Sequence, residues 1–264
     1  KPLPDLPEAV YGHTLTHLGN GVIMQLGGVG STKALTLDTL AENLQWVEME
    51  GMSYFNNKSH FTSVKLSSQP SPWIVFDSKL HTFGPSGSVE TIQLPFNVTT
   101  GHCAVANDHH MYIIGAGKNK DEIWMNLEIE APYNFVFINT LLKGREHHRC
   151  IWSGHQIYIV GGYVQTGKQL RISQSSEIMD TLTGQVKSSA KLANGRVNHG
   201  LGMFDNRSER ISVFGGLTKT LMKSIISNVT EAFSVRFDEG FIVQRAIRSV
   251  NIFRHSFGFV QFDP

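Results

Sequence analysis

Four times along this chain a histidine, an apolar strand, a polar turn, a second apolar strand and a glycine-led pair recur in one order. The first copy runs from His13 through Gly19-Asn20-Gly21 to Val22, Leu26 and Gly27-Gly28. Others run from His102 through Asn107-Asp108 to Gly115-Ala116, from His148 through Ser153-Gly154 to Gly161-Gly162, and from His199 through Asp205-Asn206 to Gly215-Gly216. Two weaker copies complete the series. His60 leads to Trp73-Ile74-Val75-Phe76, where Asp77-Ser78 replaces the glycine pair, and His255 opens a sixth unit with only its first strand. A period near ~50 residues with several short strands per unit calls for stacked β units, each burying its face against the next.

Each unit continues with an alternating strand, a turn and another strand. Leu35-Thr36-Leu37-Asp38 and Leu44-Gln45-Trp46-Val47 do this in the first, and Ser176-Glu177-Ile178-Met179-Asp180 with the turn Thr183-Gly184 in the fourth. Such runs between Gly, Asn and Asp turns read as strands, and no window of helical length shows a clean 3.6 period.

This order resembles the kelch repeat family, whose units read Arg-x-x-His, strand, turn, strand, Gly-Gly, loop, strand, Trp strand. Arg145-Glu146-His147-His148 and Arg196-Val197-Asn198-His199 match its opening, the glycine pairs at 27, 161 and 215 its centre, and Trp46 its late tryptophan. The resemblance covers essentially the whole chain. It implies an all-β fold, a kelch-type β-propeller of five full blades plus the first strand of a sixth, with a six-bladed parent favoured. Residues 1–264 form a single domain with units starting near 8, 55, 97, 143, 194 and 250. In such a blade the glycine pair allows a tight turn beside the channel. The recurring histidines are expected to be structural hydrogen-bonding groups rather than chemistry.

Composition narrows the function. Hydrophobic residues make up 41% and charged residues 17%, enough for a substantial core. The formal charge of +1 gives no bulk argument for a nucleic-acid binder, and no apolar run reaches the ~18 residues of a membrane span. Two cysteines exclude a disulfide-dense secreted scaffold, and an intracellular chain is favoured over a secreted one. The Asn-x-Ser/Thr sequons at Asn57, Asn97, Asn206 and Asn228 would matter only in a secreted protein.

Several chemical constellations fail on geometry. His13 and His17 have the spacing of a helical zinc site, but on a strand that spacing separates them by about 13 Å. His109-His110 and His147-His148 point alternately and read as surface histidines. Cys103 and Cys150 stand one and two residues after their histidines, which predicts opposite sides of their blades and two buried free thiols. Gly27-Gly28-Val29-Gly30-Ser31-Thr32-Lys33 has Thr32 where a phosphate loop needs glycine, and no helix follows. No catalytic residue, metal or cofactor is assigned.

One distribution points to a working surface. The loops after the second strands carry Lys33, Lys79, Lys118, Lys120, Lys168, Arg171, Lys219 and Lys223, against the acidic Asp121-Glu122. The loops entering the first strands add Lys143, Arg145, Arg196 and Arg248. All should emerge on one rim of a propeller. The expectation is a non-enzymatic interaction module, a scaffold, substrate receptor or subunit, whose basic loop face grips another protein through an acidic or phosphorylated segment. Its expected contacts are Lys33, Lys118, Lys120, Arg145, Lys168, Arg171, Arg196, Lys219 and Lys223. The alternatives are a sugar-binding or sugar-modifying kelch enzyme at the channel mouth and, less favoured, a nucleic-acid-associated subunit.

Overall fold

Runs such as Ile157-Tyr158-Ile159-Val160 are apolar at every position, so a strand made from them must bury both faces. The computed structural model describes residues 3–83, 88–128, 133–167, 169–203, 210–219, 224–226, 229–234 and 245–248, and it meets this demand by stacking sheets face to face. The first sheet contains β1 (Thr14–Gly19), β2 (Val22–Leu26), β3 (Ala34–Asp38) and β4 (Trp46–Met49) in order. The second contains β5 (Thr62–Val64), β6 (Trp73–Phe76), β7 (Lys79–Phe83) and β8 (Val89–Gln93), and the third β9 (Cys103–Ala106), β10 (Met111–Ala116), β11 (Glu122–Asn126) and β12 (Phe135–Thr140).

A short β13 (Arg145–Glu146) precedes β14 (Arg149–Ser153) and β15 (Gln156–Val160). There follow a hairpin, β16 (Tyr163–Thr166) and β17 (Gln169–Ile172), and then β18 (Ser176–Asp180) and β19 (Val186–Ser188). The fourth sheet is β14-β15-β18-β19, while β13 joins the hairpin in a separate three-stranded sheet. The fifth repeats the plan: β20 (Gly200–Met203), β21 (Arg210–Phe214), a hairpin of β22 (Leu217–Lys219) and β23 (Ser224–Ile226), then β24 (Val229–Ser234) and β25 (Arg245–Arg248). Every pairing among the described residues is antiparallel. The sixth-unit residues around His255 lie outside the described residues, as do the sequons Asn206 and Asn228.

The second strand of each sheet shows how the stack is held. In β10, Met111 and Ile113 pack with Trp73, Val75 and Leu80 of the second sheet. Tyr112 and Ile114 pack the other way, with Ile157 and Ile159 of the fourth. In β15 the alternation repeats, Tyr158 and Val160 meeting Leu201, Ile211 and Val213 of the fifth. Each such side chain contributes about 1.5–3 kcal/mol by leaving water.

This face-to-face order overturns the cysteine expectation. Cys103 and Cys150 form a disulfide between β9 and β14, with Cα atoms 6.1 Å apart. Their one-residue offset does place them on opposite faces of their own sheets. In a stack, the facing surfaces of neighbours are opposite faces, so the offset brings the sulfurs together.

The glycine pair has a steric cause. Gly161 has φ 65°, and a Cβ there would stand 2.6 Å from the Arg196 carbonyl oxygen and 2.9 Å from Cε1 of His199. Gly162 has φ 91°, and its Cβ would stand 2.8 Å from the Cβ of His148. The first glycine thus receives the histidine of the next sheet, and the second lies on the histidine of its own. Gly161→Ala is expected to cost about 2–4 kcal/mol, summing left-handed strain and overpacking. Gly154 shares the left-handed conformation at φ 59°, but a Cβ added there would meet no atom within 4 Å. Gly154→Ala should therefore cost only about 1 kcal/mol. Urea unfolding of both variants checks this, and equal losses would refute the steric account.

The structure also shifts the repeat register in the second sheet. A Cβ on Gly27 would meet the Phe61 ring at 2.6 Å, just as Gly115 faces His148 and Gly161 faces His199. Phe61, not His60, therefore holds the histidine position. His60 takes the place before it, where the backbone is left-handed in all five sheets: Gly12, His60, Gly101, His147 and Asn198 have φ of 70°, 60°, 85°, 55° and 52°. Main-chain bonds join these residues in series, with His60 N donating to Gly12 O (2.9 Å), Gly101 N to His60 O (3.4 Å), His147 N to Gly101 O (2.7 Å) and Asn198 N to His147 O (3.1 Å).

Candidate basic cleft and axial site

The loops that enter the first strands and leave the second strands share one side of the stack. On it, the β16–β17 hairpin and the segment through β22 flank a cleft of about 420 Å3. Lys143, Val164, Thr166, Arg171, Asn194 and Thr218 are among its lining residues. No carboxylate lines this cleft among the described residues. Lys143 and Arg171 are both exposed, so two cations face one concavity without an acidic wall. Their chain neighbours Leu142 and Leu170 are 55% and 56% exposed, leaving apolar surface beside the charge.

The other rim residues separate into three groups. Lys118 is exposed on the same side. Lys33 pairs with Glu48 at 3.3 Å, and Lys120 pairs with Glu146, so each cation is partly neutralised locally. Lys168 and Lys223 lie outside the described residues, and Lys219 falls in β22 opposite Ser224.

Arg145 and Arg196 must be removed from the rim. They are 1% and 0% exposed. Arg145 donates from Nη1 to the carbonyls of Gly161 (2.9 Å) and Ser175 (3.0 Å), and its Nη2 bonds the Glu177 carboxylate. Glu177 also accepts from the backbone N–H of Leu142 at 2.7 Å. The guanidinium is held by the fold itself, because a buried charge needs its full set of partners. Arg196 repeats part of the pattern, donating from Nη1 to the Gly215 carbonyl at 3.0 Å. Both arginines tie an incoming loop to the glycine turn, where a partner cannot reach them.

A second candidate lies on the axis. The first strands β1, β5, β9, β14 and β20 stand side by side and enclose a cavity of about 460 Å3 lined by residues from all five sheets, including Thr16, His17, Ser63, Lys65, Ala104, Cys150 and Leu201. Thr14 and Thr16 bond the Ser63 hydroxyl across the first two sheets. At the other end of the axis, His60, His147, Asn198 and Arg149 close around a space of about 10 Å3, room for roughly one water. The His60 and His147 rings meet edge to face with centroids 5.1 Å apart. His147 donates from Nδ1 to Asn198 Oδ1 at 2.9 Å. Arg149 donates from Nε to the His199 carbonyl at 3.1 Å.

Burial disfavours the charged form throughout this histidine layer. The His60 imidazole is pushed below its usual range by burial, then by His147 and Arg149. His147 is lowered by burial in spite of its bond to Asn198. His102 is 3% exposed, and burial lowers it to about 4. Its Nδ1 donates to the Thr99 carbonyl (2.9 Å), which leaves Nε2 to accept from the Thr62 hydroxyl (2.8 Å) of the preceding sheet. That is the structural tie expected of the motif histidine. His148 and His199 correct the expectation: both are fully buried, neither ring nitrogen has a hydrogen-bond partner among the described residues, and both are held well below the usual range by burial. His148 is thus no surface residue. Among the described residues, no group of three His, Cys, Asp or Glu side chains is placed to hold a metal ion, and no helix is long and apolar enough to cross a membrane.

No family model matches the chain, and no curated protein matches it. A solved structure of YjhT is similar, with a TM-score of 0.72 over 87% of this chain and 84% of that one. The sequence identity is 12%, so the likeness concerns fold alone. Together with the stacked four-stranded antiparallel sheets, it supports a β-propeller architecture for this chain.

Proposed function

We propose that this chain is a non-enzymatic interaction module, a kelch-type propeller of five full blades with the opening strand of a sixth. It binds an acidic or phosphate-bearing segment of another protein. The observation that carries this reading is the cleft beside the β16–β17 hairpin, where Lys143 and Arg171 face a concavity that no carboxylate among the described residues lines. An extended segment could lie between the two hairpins with its anionic group between these cations. Leu142 and Leu170 offer it apolar contact outside the charged pair.

Charge reversal tests the surface. The double variant Lys143→Glu/Arg171→Glu should weaken capture of the native partner at least about tenfold, corresponding to about 1.4 kcal/mol. Reversing Lys33, already paired with Glu48, should change it little. Undiminished binding by the double variant would place the docking surface elsewhere.

The axial cavity supports a second reading, a sugar-binding propeller. Thr16 and Ser63 line the cavity, and Thr14 bonds the same Ser63 hydroxyl. A thermal shift on titrating neutral mono- and disaccharides, abolished by Thr16→Val, would favour this reading over the loop face.

A further inference from the structure

We infer that the chain folds in an oxidising secretory compartment and is N-glycosylated at Asn57 and Asn97. Two independent features support this. The first is the Cys103–Cys150 bridge joining the innermost strands of adjacent sheets. Structural disulfides of this kind form and persist in oxidising compartments and are rare in reducing ones, which reverses the location favoured by the low cysteine count.

The second is the placement of the sequons. Asn57-Lys58-Ser59 and Asn97-Val98-Thr99 both lie in loops entering a first strand, and both asparagines are exposed. Phe96 and Val98 are buried on either side of Asn97, at 7% each, so the alternation turns Asn97 outward. Asn57 follows the single-turn 3-10 helix Ser53–Phe55. Its Oδ1 accepts from the Gly30 N–H at 3.1 Å, a bond that does not use Nδ2, the atom to which a glycan attaches. Both positions therefore admit a large polar group without disturbing the core.

In the modification, Nδ2 displaces the diphosphate of a lipid-linked oligosaccharide donor from its anomeric carbon. A C–N bond forms, the C–O bond to diphosphate breaks, and one amide proton is released with the leaving group. Closing the bridge removes two protons and two electrons from the thiols, and a protein disulfide oxidant takes them up as it becomes a dithiol. Asn57 and Asn97 border the first three sheets, whereas the basic cleft lies between the fourth and fifth. Glycans at both sites would therefore frame the loop face while leaving the cleft open. The inference stands whether or not the cleft binds a partner.

The full chain, isolated from its native cells with thiols alkylated at lysis, provides the test. Peptide-N-glycosidase in heavy-oxygen water should convert both Asn57 and Asn97 to labelled aspartate. Without reduction, the Cys103 and Cys150 peptides should be recovered linked. An Asn97→Gln variant expressed in the same cells should lose one mobility step. Unmodified asparagine at either position, or alkylated Cys103 and Cys150, would overturn the inference.

Discussion

Acidification from about pH 7 to about pH 5 is expected to lower the unfolding free energy by at least about 2 kcal/mol. His102 is buried neutral with its folded value near 4, against the ordinary 6.5 of an unfolded chain. Between those values the unfolded state binds the extra proton, so stability falls as pH drops through the window. For His102 alone the loss reaches about 2 kcal/mol by about pH 5. His148 and His199, also held well below the usual range by burial, shift in the same direction and add to it. Carboxylates with lowered values, such as Asp180, lose their contribution only at more acid pH. Urea midpoints should therefore fall steadily between pH about 6.5 and about 5, and His199→Leu should flatten that slope. A flat profile in the wild-type chain would show that these imidazoles are not buried neutral.

Glu177→Ala should be the most damaging single carboxylate change among the described residues. It leaves the Arg145 guanidinium, itself 1% exposed, without its counter-charge, and the Leu142 N–H without its acceptor. Breaking a buried pair on one side costs about 3–5 kcal/mol. Arg145→Met should cost a similar amount by stranding the carboxylate. The double variant should cost less than the sum by at least about 1 kcal/mol, because neither charge is then left alone. Additive losses in a denaturant-based cycle would mean that the two groups do not depend on each other. The pair also reaches the proposed docking surface. Glu177 anchors Leu142 directly before Lys143, so Glu177→Gln, which keeps an acceptor, should preserve partner capture better than Glu177→Ala.

The β units are readable in the sequence because the glycine pair and strand alternation follow directly from backbone sterics and two-sided burial. The sequence misleads where a residue's role depends on a neighbouring sheet. His60 resembles the motif histidine because it opens a short strand that leads on to the apolar run Trp73-Ile74-Val75-Phe76. Only the ring of Phe61 against Gly27 shows which residue fills that site. The spacing of Cys103 and Cys150 puts them on the correct faces, but those faces meet only in a face-to-face stack. Arg145 and Arg196 read as rim cations because a loop position suggests exposure, and their acceptors, the Gly161 and Gly215 carbonyls, come from the glycine turns. The two extra hairpins have a visible signal. Tyr163-Val164-Gln165-Thr166-Gly167 followed by Gln169-Leu170-Arg171-Ile172 is a pair of short strands around a glycine. The cleft beside them is invisible without the fold that sets β22 alongside.

The left-handed series Gly12, His60, Gly101, His147 and Asn198 bears on how such a chain can change over evolutionary time. Each of its joints has a main-chain donor and acceptor, to which the His147–Asn198 joint adds a side-chain bond, so side chains there can diverge wherever the left-handed backbone is tolerated. Glycine, asparagine and histidine already share the role. A duplicated unit would arrive with a compatible donor on one side and a compatible acceptor on the other, with no matching pair of side chains to be invented at the joint. Inheritance at the axis is thus carried by conformation more than by residue identity.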